Sequence, residues 1–176
     1  MHRCIARYLR GVPIRMFGPA DEAVCRALWV ELTERHRLIY ESPSIGGSDP
    51  AADFDSLLAD SRLAGIWLAE VDGQVVGMAG LLLDGGEAEV EPIVVTEQHR
   101  SRGVGARLLE ELRREALARG VAHLTIRPVA RNVDAIRAFH RAGFNILGHI
   151  DMFMDLRENQ PTWKEGVEVH GFPFDF

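Results

Sequence analysis

With 176 residues and 47% apolar content, the chain is long enough for one domain with a buried core, and nothing in its composition suggests two. A net charge of −6 argues against a general nucleic-acid binder and suits a cationic small substrate slightly better than an anionic one. The first twenty residues lack an apolar signal-peptide run and no window reaches membrane-spanning length. The two cysteines, Cys4 and Cys25, have no CxxC neighbour and read as free thiols, so a cytoplasmic protein with no membrane association is expected.

Residues 1–11 carry three arginines without a clear period and read as an extension. Val12 to Phe17 is a short strand candidate. Asp21 is the expected N-cap of a helix running to about Tyr40, with Val24, Leu28 and Leu32 on one face. Glu41 to Pro50 holds two prolines, two glycines and three serines, which is loop chemistry. A second helix is expected from about Asp49 to Arg62, with Phe54, Leu57 and Leu58 facing inward.

Ile66 to Val71 and Gln74 to Leu83 are apolar runs separated by Asp72-Gly73, a strong hairpin signal. Asp84-Gly85-Gly86 is a second tight connection, so the sheet grows as an antiparallel meander up to a strand around residue 90. Along that strand Val90, Ile93, Val94 and Val95 are apolar and β-branched. Pro92 cannot donate a ladder hydrogen bond, which predicts an interruption or bulge there.

Next comes RSRGVG, Arg100 to Gly105, and then a helix whose apolar stripe is Val104, Leu108, Leu112 and Ala116, widened by Leu109 and Leu117. Glycines let a ligand approach the backbone, and the amides and dipole at a helix start favour an anion. Arg100, Arg102 and Arg107 add full charges. This stretch therefore has the composition of a phosphate cradle.

Gly120 ends the helix, and His123 to Arg127 forms a strand expected to lie parallel beside the one at residue 90. Asn132 caps or precedes a helix through Ala142, with Ala135, Ile136 and Phe139 on one face and Gly143 as its stop. Phe144 to Leu156 alternates loosely and reads as one long strand or a strand pair. The last twenty residues, 157–176, look irregular, and their aromatic end, Phe172, Phe174 and Phe176, is open to three readings: covering a pocket, joining a homodimer, or disorder. The boundaries are thus 1–11 extension, 12–156 one domain, 157–176 tail.

Walker A, GxGxxG and HExxH motifs are absent, and the best metal-ligand spacing among the seven histidines, His149-x-Asp151, does not carry a metal site. Taken singly, arginines in a turn are commonly a solvated surface, Asn132 fits a plain helix cap and Phe139 plain core. Their occurrence together in this order is what points to a site.

RSRGVG resembles the R/Q-x-x-G-x-G/A signature of the GNAT acetyltransferase superfamily, and NVDAIRAFHRAGF resembles that family's second motif. The resemblance is specific over Glu89 to Phe144 and looser over the flanking meander and first two helices. It implies an α/β fold with a mixed, mostly antiparallel sheet, splayed between the strands near residues 90 and 125 and flanked by about four helices. It also implies acetyl-CoA as co-substrate, with its pyrophosphate on the amides of Arg102, Gly103, Val104, Gly105 and Ala106 and with Arg100 nearby. Backbone groups of Ile93, Val94 and Val95 would face the pantetheine arm, Asn132 would touch the cofactor, and Phe139 would lie near its sulfur. The implied acceptor is a primary amine of a small molecule or peptide, attacked directly in a ternary complex.

An alkyl amine is mostly protonated at neutral pH, so a base is the pressing need, whereas a thiol leaves readily. Glu89 is the first candidate from its distance before the turn, with Glu91 two residues on and Glu87 close; like charges at this spacing raise one another's pKa. A carboxylate on an exposed strand can equally serve to blunt that strand or attract a cation. The oxyanion would be held by the amide of Val94 or Val95. The sequence departs from the family at the acid: many members place a tyrosine where Phe139 stands, and phenylalanine cannot protonate the departing thiolate. Either water or another residue serves, the thiolate leaves unassisted, or activity is lost; Phe139 thus motivates a rival reading, a catalytically silent acyl-CoA sensor, and a different phosphate ligand is a third.

Overall fold

The computed structural model describes residues 11–156 and 163–176. Cys4 and most of the expected N-terminal extension lie outside the described residues, as does the start of the expected tail. The chain falls into two compact units, one ending at Arg127 and one running from Pro128 to Phe176.

The first unit is a five-stranded sheet in the order β1-β2-β3-β4-β5: β1 Ile14–Met16, β2 Leu63–Val71, β3 Gln74–Asp84, β4 Glu87–Val95 and β5 His123–Ile126. Neighbours are antiparallel up to β4, and β4 and β5 are parallel, as the sequence predicts. Asp72 and Gly73 both adopt positive φ, 51° and 76°, which suits a two-residue hairpin turn between β2 and β3.

One face of the sheet is covered by α1, Glu22–Tyr40, and α2, Ala52–Ala59. Cys25, Leu28, Phe54 and Leu57 pack there against Ile66, Leu68, Met78, Leu82 and Val94. Burial pushes the Cys25 thiol up to about 12, so it is an inert packing group. The other face is covered by α3, Val104–Ala118, through Val104, Leu108, Leu109, Leu112 and Ala116, all buried. Removing the Leu108 or Leu112 side chain would cost about 2–5 kcal/mol.

Two local expectations are corrected. Leu58 and Leu117 are exposed, because each lies at the edge of its helix's apolar stripe. Asp21 stands at the N-cap of α1, but its carboxylate accepts from the Gly18 N–H (2.9 Å) and from Arg15 (2.6 Å), closing the preceding 3₁₀ turn rather than capping α1.

In the second unit, α4 spans Val133–Ala142. It begins where the Asn132 side-chain oxygen accepts from the Ala135 N–H (3.2 Å) and ends at Gly143, φ 108°. The expected strand over Phe144 to Leu156 is absent: the segment has no regular secondary structure, and Ile146, Leu147, Met152, Phe153, Met154 and Leu156 are exposed. Alternation makes a segment able to be a strand, but a strand exists only where a partner completes its backbone hydrogen bonds. The tail expected to be irregular forms a hairpin instead, β6 Glu165–Val169 and β7 Phe172–Asp175, joined by His170 and Gly171 at positive φ. Pro173 is tolerated because a two-stranded ribbon consists only of edges.

Candidate active site

The site is built on β4. Its register with β3 slips where Ala79 faces Ile93 and Leu81 faces Val90, so that Glu91 and Pro92 on β4 oppose Gly80 alone. This is the bulge the proline predicts. Gly80 is required by close approach, since a Cβ there would run into the backbone carbonyl of Glu91.

β5 pairs with β4 only from Glu87 to Val90, while β4 runs on to Val95. The stretch from Glu91 to Val95 therefore has no β5 neighbour, and the sheet opens there. The Thr96 N–H donates to the Val76 carbonyl (2.9 Å). Alternation along an antiparallel ladder then turns the Val94 amide toward β3 and the amides of Ile93 and Val95 toward the open side.

After β4 the chain makes a 3₁₀ turn at Glu97–His99 and passes through two left-handed residues, Ser101 (φ 60°) and Gly103 (φ 87°), before α3 begins. The first intrahelical bond is from the Arg107 N–H to the Gly103 carbonyl (3.0 Å). The amides of Val104, Gly105 and Ala106 thus precede the helical ladder and point out of the helix start. At Gly105 the fold itself does not demand glycine: a Cβ would meet only the Val95 methyl at 3.8 Å. Such a cradle fits an anionic phosphate.

The three arginines are not equivalent. Arg100 donates from Nε to the Val95 carbonyl (2.9 Å) and from Nη2 to Glu31 of α1 (2.7 Å). Among the described residues Arg102 and Arg107 enter no ion pair, and Arg102 is exposed. The glutamates also differ. Glu89 is mostly buried and bonds the Arg127 guanidinium. Glu91 reaches solvent, yet the protein atoms around it desolvate its carboxylate and Glu89 repels it, raising its pKa above the ordinary value. Glu87 lies 3.4 Å from His123.

Asn132 and Phe139 lie in the second unit. Asn132 caps α4, and Phe139 stacks edge-to-face on Phe144 with centroids 6.3 Å apart. Sequence reasoning missed Glu31, whose link to Arg100 joins positions far apart in the chain with no periodic signature. It also missed Arg127, although its place just after β5 follows from the parallel register.

The strand leaves its parallel neighbour and leads into a helix start whose first amides lie outside the helical ladder. The model of the Acetyltransferase (GNAT) family matches residues 27–144. The chain belongs to this family. It is 31% identical over 131 residues to streptothricin acetyltransferase of Streptomyces lavendulae, covering 73% of this chain and 66% of that protein. With streptothricin acetyltransferase of Escherichia coli it shares 34% over 86 residues, 48% of this chain and 49% of the relative. The chain thus spans just under two thirds of the first relative and about half of the second. Its fold is similar to that of AAC(6')-Iy in complex with the bisubstrate analogue CoA-S-monomethyl-acetylneamine, with TM-score 0.61, 18% identity, and coverage of 82% of this chain and 97% of that one. Among the described residues no helix is long and apolar enough to cross a membrane.

Proposed function

We propose that the protein transfers the acetyl group of acetyl-CoA to an amine of a small cationic acceptor by direct attack in a ternary complex. The observation that carries this reading is the open edge of β4 from Glu91 to Val95 leading into the amides at the start of α3. The pyrophosphate sits on the amides from Arg102 to Ala106, with Arg102 and Arg107 supplying charge. The pantetheine arm pairs with the backbone of Ile93, since Arg100 holds the Val95 carbonyl. Asn132 and Phe139 are assigned to the cofactor by their place in the second motif alone.

Glu91 is the base. Its raised pKa brings it closer to the proton it must take, whereas Glu89 is committed to Arg127. Glu91 accepts a proton from the acceptor ammonium, and the freed nitrogen lone pair attacks the thioester carbonyl. The oxygen that gains charge is held by the Val95 amide, which faces the open side. The nitrogen gives up its second proton to water, the C–S bond breaks, and the thiolate departs without a tyrosine, taking a proton from water.

The acceptor class follows the relatives. Two are named for streptothricin, and a structural neighbour carries an acetylated neamine analogue. A net charge of −6 suits such cationic amines. Steady-state thiol release from acetyl-CoA, with streptothricin, an aminoglycoside and simple alkyl diamines as acceptors, tests the reading. Turnover with at least one cationic amine supports it. Thermal stabilisation by CoA without thiol release on any amine favours the silent acyl-CoA-binding reading, to which Phe139 lends support.

A further inference from the structure

Arg100, the first residue of RSRGVG, would be taken as a phosphate ligand from its charge alone. Its guanidinium is used otherwise. Nε donates to the carbonyl of Val95, the last residue of β4, at 2.9 Å, and Nη2 donates to Glu31 Oε1 at 2.7 Å. The same Glu31 oxygen accepts the Glu97 N–H at 2.7 Å. One carboxylate oxygen of α1 therefore holds both the first residue of the 3₁₀ turn and the arginine that follows it. Arg100 in turn closes the loop back onto the strand end.

Between the open edge of β4 and the amides of α3 the chain has only this turn and the left-handed residues Ser101 and Gly103. Within the segment Thr96 Oγ1 also bonds His99 Nδ1 at 2.9 Å. The turn's own bonds are short-range: the His99 N–H to Thr96 O at 2.9 Å and the Arg100 N–H to Glu97 O at 3.3 Å. The guanidinium fork, which donates in two directions from a rigid plane, sets the spacing between strand end and helix start.

We propose that Arg100 is a positioning residue, and that with Glu31 as its partner it fixes the separation between the β4 edge and the α3 amides and thereby the affinity for coenzyme A, without itself holding the phosphate. The inference rests on the reading of this turn as the coenzyme A site. It also makes α1 part of the cofactor site: a change at Glu31 reaches the phosphate-binding amides through Arg100.

The test is calorimetric titration of CoA into the full chain, comparing the native protein with Arg100→Gln, Arg100→Lys, Glu31→Ala and the Glu31→Ala/Arg100→Gln double variant. Circular dichroism melts confirm that each folds, and at a partly exposed pair they should. Positioning predicts that each single variant weakens CoA about tenfold and that the double is no worse than the poorer single. Arg100→Lys should not rescue, and the dependence of affinity on salt should keep its native slope. A phosphate-ligand role predicts the opposite at Glu31: with its competing carboxylate gone, the arginine would bind CoA as well or better, and Lys would largely rescue. That result, additive losses, or a shallower salt slope in Arg100→Gln would overturn the proposal. Failure of the native protein to bind CoA would instead remove the reading of the site on which the proposal stands.

Discussion

Arg127, the residue after β5, bonds the carboxylate of Glu89 on β4, and this contact gives two glutamates two positions apart unlike surroundings. Glu89 faces a fixed cation. Glu91, beyond the last β4–β5 pair, has no ion pair among the described residues and feels Glu89 as a repulsion.

Glu91→Gln should therefore lower kcat/KM by about 10²–10⁴-fold, the span of a general base. Glu89→Gln should cost no more than about tenfold. Equal losses, or none at Glu91, would contradict the assignment.

The pH profile carries the sign of the same interactions. A base with a raised pKa makes kcat/KM rise with pH on the acid side through a value above that of an ordinary glutamate, about 4.3. Arg127 lowers the Glu91 pKa and Glu89 raises it. The acid limb should thus move to higher pH in Arg127→Gln and to lower pH in Glu89→Gln. Shifts in the reverse directions would be incompatible with Glu91 as base.

Gly80 and Gly105 separate fold from ligand. Gly80→Ala places a methyl against the Glu91 carbonyl and should destabilise the protein by about 1–3 kcal/mol in urea unfolding. Gly105→Ala meets only ordinary contact and should leave the melting temperature unchanged or slightly raised. In titration calorimetry it should weaken CoA by about tenfold or more if these amides hold the pyrophosphate as proposed, because the methyl would then stand in its path.

Asp21 supplies an acid-sensitive element away from the site. Its hydrogen bonds from Arg15, then that from the Gly18 N–H, hold its pKa at about 2. An unfolded aspartate titrates near about 3.9, so the contribution is complete above that value and disappears as pH falls through about 2. The stability difference between native protein and Asp21→Asn should be constant at neutral pH and shrink below about pH 4.

Much of this was legible in the sequence because the signals are local. Asp72-Gly73 marks the hairpin, Pro92 the bulge, and Asn132 and Gly143 the ends of α4. Non-local facts were not legible. Nothing in RSRGVG announces that Arg100 is engaged by Glu31, and the charge of Glu89 does not reveal that Arg127 takes it. Alternation over Phe144 to Leu156 could not tell an able strand from a paired one, and Pro173 hid the β6–β7 hairpin that His170-Gly171 signals.

Phe139→Tyr should change turnover only modestly, since a thiolate leaves readily without an acid. A rise of many orders of magnitude in kcat would show the native protein to be acid-deficient.

Direct transfer within a ternary complex is tested by rapid-mixing measurement of free thiol. Native protein is mixed with acetyl-CoA alone and with acetyl-CoA plus a cationic amine. Thiol should appear only when the amine is present, with one acetylated amine detected by mass spectrometry for each thiol released. A burst of thiol without amine, which marks an acyl-enzyme, or no thiol with any amine, would contradict the account.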